Sequence, residues 1–283
     1  MISRTAVHMA TFRALESARS PSERLFRDPY ARRFLPMAQR ALVTLSSAGW
    51  SRKLLEAYAD MRAPGARSSG IARTRLIDDW IAGECEDGAE QVVILGAGFD
   101  CRALRVPALS HARVFELDRP ELLARKTERL GPAPASLVRT AIDFNKDDLL
   151  PRLLSAGFAP ERQSVFLWEG VTNYLSEQAV GAVLRLVANL RAGIVFTYVH
   201  ADAVEGRFDS PGLPALLHEL KSIGEPWTFG LRPEALADFL ATHGLRWRAD
   251  LGAEEYRELY RSSKKSNRKE GYEFYRVALA GPL

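Results

Sequence analysis

Short, nearly unbroken apolar runs alternate with stretches of helical spacing through the middle of the chain. This alternation predicts βαβ units around a parallel sheet. Gln91–Leu95, Arg113–Leu117, Leu137–Ala141, Ser164–Trp168 and Gly193–Val199 read as strands. The first and fourth carry almost no polar position, as expected of parallel strands covered on both faces. Between them, Asp100–Ala108, Pro120–Leu130, Lys146–Ala156 and Ser176–Leu190 follow a helical period.

The flanking regions differ in pattern. Residues 1–62 lack strand-like runs and show helical spacing broken at Pro21, Pro29 and Pro36, which predicts several short helices in a cap. Residues 63–70 read as a loop from their Gly, Pro and Ser content. Helical spacing resumes over Ile71–Ala82, with Ile71, Leu76, Ile77, Trp80 and Ile81 apolar. Asp202–Ile223 holds one helix, and Pro233–His243 reads as a helix with Pro in its first turn and Gly244 beyond its end. Arg246–Leu251 and Glu273–Ala280 complete seven strands, with no clear helix across Glu254–Glu270. The expectation is an α/β, Rossmann-like, seven-stranded and mostly parallel sheet with its last strand antiparallel. It forms a single domain: an N-terminal helical cap (1–70), a cofactor-binding core (71–200), a lid insertion (201–230) and a C-terminal completion of the sheet (231–283).

Composition narrows the function classes. Among 283 residues, 39 basic side chains are nearly offset by 35 acidic ones, giving +4. That charge is too mild for a typical nucleic-acid binder, so the basic stretches Arg24–Arg40 and Arg261–Lys269 read as solvated loops. Two cysteines, Cys85 and Cys101, provide no disulfide framework and no multi-cysteine metal site, and they fit a reducing compartment. Charged residues from Arg4 to Glu16 argue against a secretory signal, and no run reaches the ~20 apolar residues of a membrane span. A cytoplasmic protein without bound metal or membrane attachment is expected.

The chemistry concentrates at strand ends. Val92-Val-Ile-Leu-Gly96-Ala97-Gly98-Phe-Asp100 is a buried strand entering a glycine turn that a ligand can approach without meeting a Cβ. A dinucleotide site would want a third glycine three residues on, where Cys101 stands, and Asp100 would repel a diphosphate. A ligand without phosphate and with a positive charge suits the turn, which describes S-adenosylmethionine. About 20 residues later, Glu116 and Asp118 end the next strand, either one placed for ribose hydroxyls and not separated by alternation. Asp143 with Phe144 suits an adenine pocket. Glu169 closes a fully apolar strand, where a charge has no packing role.

These motifs, in this order, resemble the leucine carboxyl methyltransferase-like family of class I S-adenosylmethionine-dependent methyltransferases. The resemblance is carried by Arg73-Thr-Arg75 with Asp78-Asp79, Gly96-Ala-Gly98-Phe-Asp100-Cys-Arg102, Phe115-Glu-Leu-Asp118, Asp143 and Glu169-Gly-Val-Thr-Asn-Tyr174-Leu. Arg13-Ala-Leu-Glu16 and Leu25-Phe-Arg-Asp28-Pro-Tyr-Ala31 add to it, so it covers most of the chain. It implies that Arg73 holds the cofactor's methionine carboxylate and Glu169 its amino group. Gly96 and Gly98 would line the methionine portion, Asp118 would bind the ribose, and Asp143 with Phe144 the adenine. Tyr174 would orient the acceptor. Members acting on phosphatase tails carry an N-terminal lysine that is absent here, with Arg13 or Arg19 as substitutes.

Methyl transfer demands alignment above all. A carboxylate acceptor is ionised at pH 7 and needs no base. A phenol or alcohol would profit from one, and His200, beside Tyr198, is the candidate. The expected reaction is O-methylation of a small molecule, with a protein C-terminal carboxylate or a tRNA base side chain as alternatives. An NAD-linked oxidoreductase is disfavoured by the missing third glycine and Asp100. A base methyltransferase is disfavoured by Glu169-Gly-Val-Thr in place of Asn/Asp-Pro-Pro-aromatic. Four acidic strand ends argue against a non-catalytic binding protein.

Overall fold

The computed structural model describes residues 4–45, 49–144, 146–261 and 270–283. The basic run 261–269 thus lies, beyond Arg261, outside the described residues. In chain order the cap contributes α1 (Arg4–Ser17), a 3-10 turn (Ala31–Phe34), α2 (Met37–Leu45) and α3 (Gly49–Arg62), followed by α4 (Ala66–Glu86). The core follows as β1 (Gln91–Leu95), α5 (Arg102–Arg105), a 3-10 turn (Pro107–His111), β2 (Arg113–Asp118), α6 (Pro120–Leu130), β3 (Leu137–Ala141), α7 (Leu149–Ser155), β4 (Ser164–Trp168), α8 (Glu177–Asn189) and β5 (Gly193–Val199). Then come α9 (Ala201–Val204), α10 (Leu213–Ser222), α11 (Leu236–Thr242), β6 (Leu245–Gly252), α12 (Ala253–Leu259) and β7 (Tyr275–Pro282).

The seven strands form one sheet in the order β3-β2-β1-β4-β5-β7-β6. Neighbours from β3 to β5 are parallel, while β7 runs antiparallel to both β5 and β6. Every residue of β1, β4 and β5 is buried, because helices cover both faces. Successive side chains feed opposite layers: Val93 and Leu95 join a core with α7, α8 and α11, while Val92 and Ile94 join one with α4 and α12. The edge strands β3 and β6 are half-exposed.

Two elements depart from the sequence pattern. Residues 66–70 are helical, extending α4 well before Ile71. Their small side chains serve close packing: Ser69 Oγ lies 2.7 Å from Tyr256 OH, and a Cβ at position 70 would sit 3.1 Å from Met9 Cε. Within the stretch expected to lack a helix, α12 is present and buries Ala253, Tyr256 and Arg257. Its four charged residues in seven concealed the helix until α4 supplied a partner for Tyr256. The insertion after β5 holds two helices, α9 and α10, instead of one. Leu213, Leu220 and Trp227 are buried there with Phe274 and Tyr275, and Phe208, Leu216 and Leu217 pack against them beside Tyr174 and Tyr272.

Candidate functional site

The strand order reverses between β1 and β4, and ligands of open α/β sheets settle at the carboxyl ends beside such a point. The turn after β1 opens there. Gly96 and Gly98 adopt φ of 67° and 38°. Around Gly96 the space is taken, since a Cβ would lie 2.5 Å from Val171 Cγ2. Around Gly98 it is open, with nothing nearer than 3.8 Å. The Gly98 N–H donates to Asp118 Oδ2 at 2.6 Å, and the Arg119 N–H donates to Oδ1 at 2.7 Å, so β2 pins the turn that β1 launches.

Glu116 and Asp118, inseparable by alternation, have different surroundings. Glu116 is fully buried, with Lys126 Nζ 2.9 Å from Oε1 and Arg139 Nε 3.2 Å from Oε2. Lys126, equally buried, also donates to the Ala97 carbonyl at 3.3 Å. Glu116 therefore anchors the ammonium that supports the glycine turn from below, whereas Asp118 touches the turn itself. Asp143 and Phe144 follow β3 and are partly buried, with Asp143 accepting an ion pair from Lys146 at 3.4 Å.

Across the switch point runs a network of charges. Arg73, from α4, donates through Nε to Glu169 Oε1 at 3.0 Å. Its guanidinium lies 4.5 Å over the Tyr275 ring. Arg102 Nη1 donates to Glu169 Oε2 at 2.8 Å and also to Asp100, while Nε reaches Asp78 at 2.7 Å. Arg105 grips both oxygens of Asp78 at 2.6 and 2.8 Å. Beyond it, Asp28 joins Arg13, whose Nη2 donates to the Phe99 carbonyl at 2.7 Å. Burial opposes the charge on Asp100, but Arg102, Lys126 and Arg105 outweigh it and hold the carboxyl far below the usual range. Burial likewise opposes Glu169, and Arg102 with Arg73 hold it below its ordinary value.

In the sequence Arg102 and Asp78 belong to recognisable motifs but carry no evident role, and nothing marks Arg105, Lys126 or Tyr275. An arginine in a four-residue helix carries no periodicity to mark it as buried. Of the two arginines that could stand for the absent lysine, Arg13 reaches the glycine turn, while Arg19 pairs with Glu16.

Around this network stand Tyr174, Tyr256, Tyr272 and Tyr275. Burial pushes Tyr272 up to about 12. Burial also raises Tyr275, against the pull of Arg73, with Tyr174, Glu169 and Tyr272 adding to the rise. Tyr272 holds φ at 65°, a left-handed conformation costly for an aromatic residue. His200 caps α9, its Nδ1 accepting the Asp202 N–H at 3.2 Å. Burial lowers its pKa, despite Asp202 and Glu234, so the ring is neutral at pH 7. With the Nδ1 lone pair used, the proton sits on Nε2. Among the described residues no helix is long and apolar enough to cross a membrane, and no group of three His, Cys, Asp or Glu is placed to hold a metal.

The residues fit a zwitterionic amino-acid group joined to a nucleoside. Arg73 and Arg102 offer cations, and Arg102 Nη2 is buried without a partner. Glu169 and Asp100 offer anions, and the space over Gly98 is one that a side chain would fill.

Comparison with known proteins shows the family to which the chain belongs. Residues 6–188 match the model of the family described as leucine carboxyl methyltransferase. A Frankia alni protein, provisionally named an S-adenosyl-L-methionine-dependent methyltransferase, is 32% identical over 266 residues, covering 88% of this chain and 87% of that protein. A Parafrankia protein of the same provisional name is 36% identical over 194 residues, or 68% of this chain, and the match spans 60% of that relative's own length. The crystal structure of a provisionally assigned methyltransferase from Thermobifida fusca superposes with a TM-score of 0.58 at 17% identity, covering 95% of this chain and 97% of that one. A DUF574 family protein from Streptomyces avermitilis gives 0.57 at 14% identity, covering 95% and 100%.

Proposed function

Since the chain belongs to the leucine carboxyl methyltransferase family of S-adenosylmethionine-dependent methyltransferases, we propose that it methylates a carboxylate oxygen of a small molecule. When bound, S-adenosylmethionine supplies a methyl group activated by its sulfonium. The chain's own contribution is binding, alignment and exclusion of water.

In this reading Arg73 holds the methionine carboxylate, aided by the unpartnered Nη2 of Arg102, and Glu169 takes the ammonium. Gly96, Ala97 and Gly98 line the methionine portion, with Asp100 fixing Arg102 beside them. Asp118 accepts from the ribose hydroxyls with its remaining lone pairs, and Asp143 and Phe144 receive the adenine. Tyr174 orients the acceptor. The insertion of residues 201–230 covers it as a lid, with the 1–70 cap closing the opposite side of one methyltransferase domain.

The observation that supports the carboxylate reading is that Asp100, Glu169, Tyr272 and Tyr275 are not poised as bases. Asp100 and Glu169 are held in ion pairs below the ordinary carboxylate range, and Tyr272 and Tyr275 are raised. His200 has no free lone pair in its neutral state, so its part is to cap α9. An acceptor that arrives already ionised needs none of them.

The test uses methyl-labelled S-adenosylmethionine with paired panels of aromatic and aliphatic carboxylic acids and phenols. Expected is label in a product that releases methanol in mild base, as an ester does. Label in a base-stable ether overturns the carboxylate reading and leaves methyl transfer standing. Calorimetry with S-adenosylhomocysteine tests the cofactor separately, and absence of binding to a folded sample overturns it. Replacing Arg73 with Met should weaken binding by roughly 10- to 100-fold, the worth of a charge-assisted hydrogen bond.

A further inference from the structure

Away from the strand ends, a cavity of about 560 Å³ opens between the cap and α6, lined by Arg32, Arg33, Arg40, Thr44, Glu128 and Arg129. Three of these arginines come from the basic stretch Arg24–Arg40, which by pattern alone reads as solvated loop. The fold brings them together while leaving them in reach of solvent: the 3-10 turn supplies exposed Arg32 and Arg33, α2 supplies half-buried Arg40, and the last turn of α6 adds half-buried Arg129.

Among the described residues, none of the four arginines has a carboxylate within ion-pair distance, although Glu128 shares the lining. Arg40 donates through Nη2 to the Arg33 carbonyl at 2.9 Å, but its Nε is sealed from solvent with no acceptor. Four guanidinium groups line this one cavity, and guanidinium binds phosphate through paired, charge-assisted hydrogen bonds.

We propose that this cavity is a binding site for a phosphate group, separate from the adenosyl site. It is mechanically joined to that site. Phe34, which closes the arginine-bearing turn, stacks on Phe99 of the glycine turn with centroids 4.4 Å apart and planes at 14°. The phosphate is either free or the headgroup of an anionic lipid. Met37, Leu42 and Leu45 of α2 stand exposed beside Arg40, so the lipid source belongs in the test.

Thermal unfolding is measured in inorganic phosphate and in chloride at matched ionic strength, alongside sedimentation with vesicles of phosphatidic acid or of phosphatidylcholine alone. A free phosphate ligand gives a saturable rise of roughly 5 °C at ~100-fold excess over its dissociation constant. A headgroup ligand gives co-sedimentation with phosphatidic acid only. Either effect should disappear in the Arg40→Ala/Arg129→Ala variant while S-adenosylhomocysteine binding is kept. The Arg32→Ser/Arg33→Ser variant, altered at exposed positions, repeats the test should the first fold poorly. No response in either assay overturns the proposal, as does a response that survives both double substitutions.

Discussion

Lys126 and Glu116 form an ion pair of 2.9 Å in which neither side chain reaches solvent. The ammonium extends to the Ala97 carbonyl, so the pair underpins the glycine turn. Removing one member of a buried pair leaves an uncompensated charge. Lys126→Met is expected to cost about 3 kcal/mol of stability by urea unfolding. A loss under about 1 kcal/mol would show that Arg139 alone satisfies Glu116.

Arg102 gives a pH-dependent outcome. Asp100 and Glu169 have depressed folded-state pKa values, so their stabilisation is present above the unfolded carboxylate pKa and is lost as pH falls through the folded one. In Arg102→Met both carboxyls are buried beside fewer cations and their pKa values rise. The variant should be several kcal/mol less stable at pH 7, about 3–5 by analogy with broken buried pairs. The deficit should narrow as pH falls toward about 4, where the carboxyls can protonate. Chemical unfolding at a series of pH values checks this, and a deficit that does not change with pH contradicts it.

The two glycines of the turn should respond differently. Gly96→Ala places a Cβ against Val171 in a left-handed backbone, so a stability loss of about 1–3 kcal/mol is expected. Gly98→Ala meets no atom within 3.8 Å and should lose less stability. It fills the space over the turn, however, and should weaken S-adenosylhomocysteine binding by roughly tenfold or more. Equal effects on both properties would mean that the space over Gly98 is not the ligand's.

The pH dependence of turnover follows from the same groups. With a carboxylic acid acceptor, kcat/KM should be flat from about pH 6 to 9, because no proton is removed and Tyr272 titrates only near 12. His200→Ala should leave this profile unchanged. A bell-shaped profile that His200→Ala flattens would restore the histidine as a base.

Much of this architecture is legible in the residues themselves. Strands β1, β4 and β5 announce themselves as apolar runs because parallel strands are covered on both faces. Asp100 after β1 and Glu169 after β4 stand out against that apolar background, and so do the two glycines. What stays hidden is whatever depends on partners distant in sequence. Arg102 looks like a surface arginine until Asp78 and Glu169, 24 and 67 residues away, surround it. Serine and glycine at 68–70 look like loop until Tyr256 and Met9 need their smallness. Glu116 and Asp118 share a strand face, and only their partners distinguish them: Lys126 and Arg139 for Glu116, the Gly98 and Arg119 N–H groups for Asp118.

The place of β7 in the sheet has a consequence for how the molecule is made. β5, with seven buried residues, leaves the ribosome long before the segment 275–282 that will pair with it. Until then it is a long apolar edge with open hydrogen-bonding groups, the kind of surface on which nascent chains join one another. β6 emerges earlier than β7 yet cannot dock directly, because β7 occupies the position between them. The nascent chain must therefore hold a nearly complete sheet open at one side, and Tyr275 reaches Arg73 only when the gap is closed.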